Sequence, residues 1–527
     1  MVSSADEYAS QVGIDILKQG GNAIDAAVAV GFTLAVTYPG AGNIGGGGFM
    51  LIHLKDGTNI SIDYREKAPV AAYRDMYLDP NGNVIDGLST VGHLAGGVPG
   101  SVAGLLYALE KYGTMSRQDV MKYAIEYAEN GFRIHKRLAE NLNSQQKDFA
   151  KFPSTMEVFG GKFKEGDLLV QKDLANTLKR ISLQGRDGFY KGETADLISA
   201  EMQKGYGIVT KYDLETYEAK ERAPLTGTYN GYEIISMPPP SSGGICLLYL
   251  LNILENYDLK SFGFNNYGKV NILVEAMRRV YADRSKYMGD PDFFSVPVDV
   301  LISKKYAQER MNDFSLSKAG NSNDVTPGEI LKKESDQTTH YSVVDKDGNL
   351  VSTTTTINDN FGSKLVIQGA GFFWNNEMDD FSSKPGFPNF YGLVGSEANA
   401  VAPGKRMLSS MTPTIILKNN KPFMVVGSPG GGRIITSVLQ TIVNVIDFDM
   451  SLADAIDAPR FHHQWLPDEI QMEKNVFDGN MKDDLKGMGY TLKEIPEFGR
   501  IDAIMFNADG SFMGHSDRRG YGKAIGY

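Results

Sequence analysis

Thr338 stands where a polar stretch gives way to strand-forming sequence. Residues 315–337 are mostly polar and broken by Gly320, Pro327 and Gly328, which reads as an exposed linker of the kind proteases cut. From 338 onward, TTHYSVVD (338–345) and LVSTTTTIN (350–358) are rich in Thr and Val and predict two strands. Were the bond between Gln337 and Thr338 cut, Thr338 would carry a hydroxyl and a free α-amine. That amine, with an unperturbed pKa of about 8, could take the hydroxyl proton, giving a nucleophile with its own base and no need of a His–Asp pair. Left uncut, Thr338 is an ordinary strand residue, and position alone leaves both readings open.

A second constellation lies at 421–448. A strand, KPFMVVG, runs through Ser428-Pro429-Gly430-Gly431-Gly432 into an apolar helix over 433–448. Unpaired backbone N–H groups at such a turn attract negative charge, and the helix dipole adds to the attraction. A phosphate cradle needs Gly-Lys-Ser/Thr, but Arg433 follows Gly432; the spacing of Gly427, Gly430 and Gly431 also fails the dinucleotide fingerprint. An oxyanion hole of backbone amides or a plain strand-to-helix turn is what remains. Glu377, Asp379 and Asp380 form an acidic cluster, either a solvated loop or a counter-charge for a substrate ammonium. His462-His463 has no third ligand at metal spacing and reads as packing or capping at a helix end. No metal is expected.

These groups need elements to hold them. The turn Lys346-Asp347-Gly348-Asn349 makes 338–345 and 350–358 a hairpin in which facing residue numbers sum to 694 or 695, so Thr338 faces Thr356 or its neighbour. A third strand is expected over 369–375. Two helices are expected between 5 and 36, joined at Gln19-Gly20-Gly21-Asn22 with Asn22 as a cap. A glycine-dense turn, 42–48, then leads to strands over 49–54 and 59–64, the second ending at Arg65. From 95 to 330 the pattern is mainly helical, with apolar spacing of three and four at 102–111, 119–130 and 266–284. MPPPSSGG (237–244) interrupts it as a rigid loop.

Composition narrows the function classes. The 527 residues carry 53 Lys+Arg against 64 Asp+Glu, a net charge of −11 that disfavours nucleic acid. Cys246 is the one cysteine, which excludes an intrachain disulfide and an all-Cys metal site. The longest apolar stretch, 23–36, is shorter than the roughly 20 residues a membrane span needs and contains Asp25, so no membrane span is expected. Residues 1–7 have no basic n-region and read as carrying no targeting signal; an exported form would have lost its leader from the sequence shown.

Seven segments then resemble one family in its own order. Gln337 to Asp345 (QTTHYSVVD) resembles the processing-site signature of γ-glutamyltransferases, members of the N-terminal-nucleophile hydrolase superfamily. DYREKAP (63–69), GNIGGGGFM (42–50), MPPPSSGG (237–244), NNEMDDF (375–381), LSSMTPT (408–414) and GSPGG (427–431) resemble the same family, and its bacterial exported branch in particular. The resemblance implies an α+β fold, a four-layer αββα sandwich with strands from two subunits, 1–337 and 338–527, cut from one precursor into a heterodimer. It implies that Thr338 forms a γ-glutamyl ester from glutathione or related compounds, and that water or the amine of an amino acid or peptide resolves it. It assigns the oxyanion hole to Gly430 and Gly431, the substrate carboxylate to Arg65, Ser409 and Ser410, and the ammonium to Asp380 with Asn358 and Glu377 nearby. Thr356 would support the nucleophile. No cofactor is implied, and the location implied is periplasmic or secreted.

Glu377 stands where bacterial relatives often have Gln, adding a negative charge beside the ammonium site. Residues 384–395, with Tyr391, resemble a lid present in only some members, which implies glutathione-sized donors rather than long poly-γ-glutamate. The runner-up is an acylase of the β-lactam type, which need not keep Arg65 and Asp380. A nucleotide-binding protein built on the glycine loops and a silent relative kept as a binding protein are the remaining alternatives.

Overall fold

The computed structural model describes residues 1–328, 339–384, 386–390, 392–394 and 397–527; Gln337, Thr338 and Tyr391 lie outside these. Two antiparallel sheets stack face to face. One has seven strands in the order Lys523–Ile525, Val2–Ser4, Thr339–Val344, Leu350–Thr356, Gly47–His53, Asn59–Asp63 and Lys220–Arg222. The other has six: Phe512–Ser516, Asp502–Phe506, Lys421–Gly427, Thr414–Lys418, Tyr232–Ser236 and Leu225–Tyr229. Segments from both sides of residue 338 contribute to each sheet and interleave in the seven-stranded one, so neither half could keep a whole sheet by itself. Side chains stitch the layers: the Ser342 hydroxyl donates to Asp502 O at 3.1 Å, and Thr414 N–H donates to Ser352 Oγ at 3.1 Å.

Helices cover the two outer faces. Ala23–Thr37 is buried on every side and packs on the seven-stranded sheet. Its single acid, Asp25, is spent in a capping box, accepting from Asn22 N–H at 2.8 Å while Asn22 Oδ1 accepts from Ile24 and Asp25 N–H. On the six-stranded sheet lie Gly243–Leu254 and Arg433–Ile446, both apolar where they meet the strands. Helix, sheet, sheet, helix is the αββα sandwich expected.

The hairpin register falls on the expected sum of 694: Val344 pairs with Leu350, Tyr341 with Thr353 and Thr339 with Thr355. Several expectations are corrected. No strand forms over 369–375, because Gly369 and Gly371 hold φ of +74° and +79°, and only a bridge between Val366 and Phe373 remains. The mainly helical stretch also contains the strands at 220–236, whose Asn230-Gly231 turn, with φ of 47° and 82°, is a hairpin signal. Gly243 and Gly244 belong to the following helix and not to the rigid loop. The described part of the 315–337 linker is no loose tether either: Ser322 and Val325 are buried and bonded on two sides.

Candidate active site

The described hairpin brings residue 339 to the rim of a cavity of about 180 Å3, lined also by Asn358, Pro429, Gly430 and Phe498. Nearby, Thr356 is fixed at three points. It pairs with Gly47 on the neighbouring strand, its carbonyl accepts from Asn43 Nδ2 at 2.7 Å, and its hydroxyl accepts from Asn358 N–H at 2.7 Å. The glycine run permits this approach: a Cβ on Gly46 would fall 2.0 Å from Thr356 O. Asn358, at φ +70°, donates through Nδ2 to Asn376 O at 2.9 Å, which ties the cavity to the acidic loop. Among the described residues, Thr339 Oγ1 and Asn358 Oδ1 are buried without a hydrogen-bond partner. Both atoms are placed to meet a polar partner in the cavity.

The glycine turn meets the same cavity. Gly430 and Gly431 hold φ of +133° and +67°, and their carbonyls accept from Arg433 and Ile434 N–H as the helix begins. Among the described residues neither glycine N–H donates a hydrogen bond, so two backbone donors remain for an anion.

Arg65, wholly buried, is the centre of the charged part. Its Nη1 and Nη2 bond Glu377 and Asp380, while Nε donates to Met407 O at 3.2 Å and Nη2 to Leu408 O at 3.1 Å. The two residues expected to grip opposite charges of a substrate are thus paired with each other. Burial lowers the Arg65 pKa, but Glu377, Asp380 and Glu66 more than offset it and hold the guanidinium charged. Glu66 lies 3.5 Å from Nη1. Burial drives Glu66 up to about 7 and Glu377 well above the usual carboxylate range, with Arg65 opposing both. Burial thus favours the protonated forms of both glutamates, and Arg65 favours their charged forms. Asp379, by contrast, turns away to Ser89 Oγ at 2.6 Å.

Ser409 and Ser410 follow directly on Leu408. Ser409 Oγ accepts from Met411 N–H at 3.1 Å, and its carbonyl accepts from Ser242 N–H and Oγ at 2.6 and 2.7 Å. Ser410 Oγ accepts from Arg284 Nη2. The MPPPSSGG loop thus backs the serine pair. Sequence reasoning missed Glu66, Arg284 and Asn43. Glu66 adjoins Arg65 within DYREKAP, and Asn43 opens the glycine run, so both sat inside motifs already singled out. His462 and His463 are buried on Thr436, Gln464 and Asp468, and no metal-holding cluster exists among the described residues.

The stacked sheets, with a threonine-rich hairpin and a glycine turn meeting at one cavity, fit the class of N-terminal-nucleophile hydrolases. The family model described as Gamma-glutamyltranspeptidase matches residues 9–527. The chain is 51% identical over 524 residues to a glutathione hydrolase proenzyme of Escherichia coli K12, an alignment covering 98% of this chain and 90% of that one. A solved γ-glutamyltranspeptidase chain of Helicobacter pylori is 50% identical, with a TM-score of 0.61 over 62% of this chain and 94% of its own. Cephalosporin acylase from Bacillus halodurans superposes over 99% of this chain and 94% of its own, with a TM-score of 0.87 at 28% identity. The chain belongs to the γ-glutamyltranspeptidase family, and its chemistry is γ-glutamyl transfer and hydrolysis.

Proposed function

We propose that the chain cuts itself between Gln337 and Thr338, and that Thr338 then transfers the γ-glutamyl group of glutathione and related amides. In the first event the Thr338 hydroxyl attacks the Gln337 carbonyl carbon, and water hydrolyses the resulting ester. Residues 1–337 and 338–527 remain joined through their shared sheets. In turnover the Thr338 α-amine takes the hydroxyl proton, Oγ1 bonds to the γ-carbonyl carbon, and the proton passes to the departing amine. The oxyanion faces the N–H groups of Gly430 and Gly431, which need no reorganisation to receive it. Water or the amine of an amino acid or peptide then releases the γ-glutamyl group, so one hard amide cleavage becomes two acyl transfers.

The observation that carries this reading is the cavity shared by Thr339, Asn358 and Gly430. The sequence register that expects Thr338 to face Thr356 is consistent with the described pairing of Thr339 with Thr355. A glutamyl head carries both charges that the Arg65 cluster pairs internally. Its α-carboxylate would take Arg65, with Ser409 and Ser410 donating, while its ammonium takes Asp380 and Glu377, with Asn358 beside them. A bidentate guanidinium suits a carboxylate, and buried carboxyl groups suit an ammonium. The Escherichia coli relative's name supports glutathione as donor. An acylase reading has the cephalosporin acylase superposition in its favour, yet a donor without a zwitterionic head would leave Arg65 and Asp380 without a task.

Tyr391 would cover the donor pocket as part of a lid over 384–395. The enzyme would act in the periplasm or outside the cell; no helix among the described residues is long and apolar enough to cross a membrane. A denaturing gel tests the reading. Purified protein should run as two pieces and Thr338→Ala as one. An intact wild-type chain that still releases the chromophore of a γ-glutamyl anilide would contradict it.

A further inference from the structure

Residues 315–328, just ahead of the cut, are strapped down between two elements. On one side is the helix Tyr267–Tyr287. Asn271 Nδ2 donates to Ser315 O at 2.8 Å, Glu275 Oε1 accepts from Gly320 N–H at 3.0 Å, Arg278 Nη1 donates to Ser322 Oγ, and Asp283 Oδ1 accepts from Gly328 N–H at 2.7 Å. Asn271, Glu275 and Arg278 follow one another at four- and three-residue steps on one face of the helix, and Asp283 holds the strap again further along.

On the other side are residues from beyond the cut. Trp465 Nε1 is shared between Ser322 O and Val325 O, both at 2.9 Å. Asp468 Oδ2 accepts from Ser322 N–H at 2.7 Å, while its other oxygen takes Arg278 and His463. Ala319 N–H donates to Met488 O at 2.9 Å. None of this serves the cavity or the Arg65 cluster.

We infer that Trp465 and Asp468 are positioning residues for self-cleavage, holding 315–328 on the Tyr267–Tyr287 helix so that the segment containing the scissile bond is anchored at Gly328 as well as at Thr339. The inference rests on the proposed cut at Gln337–Thr338. Between the anchors lie ten residues, 329–338. Fixing both ends of so short a segment restricts the conformations through which the Thr338 hydroxyl must find the preceding carbonyl, and releasing one end enlarges that search. Once the bond is cut the constraint no longer bears on chemistry, so turnover by the two-chain enzyme should not depend on it.

The test follows conversion of one chain to two on denaturing gels for wild type, Trp465→Phe, Asp468→Asn and Asp468→Glu, together with kcat and KM of the fully converted protein and its thermal midpoint. Trp465→Phe keeps an aromatic side chain and loses both donations, so conversion should slow by about tenfold. Asp468→Asn should slow it comparably, Asp468→Glu should restore much of the rate, and kcat, KM and the midpoint should stay near wild type. Unchanged conversion overturns the inference, as does slowing matched by a lower kcat or a lower midpoint, which would mark a general structural role. A wild-type chain that never converts removes the proposed cut and this inference with it; a wild type that converts beside variants that keep its rate overturns the strap alone.

Discussion

Gly427 lies against the imidazole of His340, so closely that a Cβ on the glycine would come within 2.4 Å of the ring. The contact joins the strand beginning at Thr339 to the strand that runs into the glycine turn, three residues ahead of Gly430. His340 is held neutral by burial, with its pKa lowered to about 3, and its ring nitrogens meet Thr354 Oγ1 and Ser342 Oγ at 3.0 and 3.1 Å. A fixed, uncharged ring therefore sets the gap between the strand Thr339–Val344 and the glycine turn at 428–432.

Gly427→Ala should overpack that gap. A methyl group in a close-packed interior forces backbone or ring to move, so unfolding stability should fall by about 1–3 kcal/mol. Urea unfolding of the variant beside wild type measures the loss, and equal midpoints would show that the ring yields freely.

Arg65→Lys keeps the charge but loses the fork that holds Glu377 and Asp380 together. Self-cleavage should still occur, while donor kcat/KM should fall by an amount equivalent to about 2–5 kcal/mol. Asp380→Asn should behave alike, raising the donor KM above all. Steady-state assays with a γ-glutamyl anilide read both, and donor kinetics equal to wild type in either variant would separate the cluster from substrate binding.

Glu66 makes stability depend on pH. Its folded pKa, raised to about 7 from an ordinary 4.5, means the folded chain keeps a proton that the unfolded chain gives up. The contribution is full below 4.5 and is lost as pH rises through about 7. Glu66→Gln removes that loss, so the variant should gain on wild type by up to about 1.4 kcal/mol per pH unit across the window. Parallel stability curves from pH 4 to 8 would contradict the raised Glu66 pKa.

Much of the site could be read from the chain because its motifs carry chemistry in sequence-local form. Thr-rich strands around an Asp347-Gly348 turn fixed the register, and the glycine loop announced free amides. The acidic loop could not be read so fully: Glu377 and Asp380 look like solvated carboxylates until the fold buries them on Arg65, more than 300 residues away in sequence. Short strands escaped for a different reason. Val2–Ser4 has three residues, too few for alternation to register, yet it sits between Thr339–Val344 and Lys523–Ile525. The Phe372-Phe373-Trp374 run looked like a strand, but positive φ at the glycines before it turned those rings into core filling.

The lid reading predicts a donor limit. Poly-γ-glutamate should be a poor substrate beside glutathione, and replacing Tyr391 by Ala should narrow the difference. Chain-length analysis of digests decides this; efficient hydrolysis of the polymer by wild type, unchanged in the variant, would contradict the assignment.

The central claim is that Thr338, freed by self-cleavage, carries the γ-glutamyl group. Acid-quenching the enzyme during turnover with a γ-glutamyl donor and mapping the adduct by peptide mass analysis tests it most directly. The account predicts a peptide that begins at Thr338 and bears one γ-glutamyl ester, absent without donor. An adduct on any other residue, or a turning-over enzyme whose peptides still join Gln337 to Thr338, would contradict it.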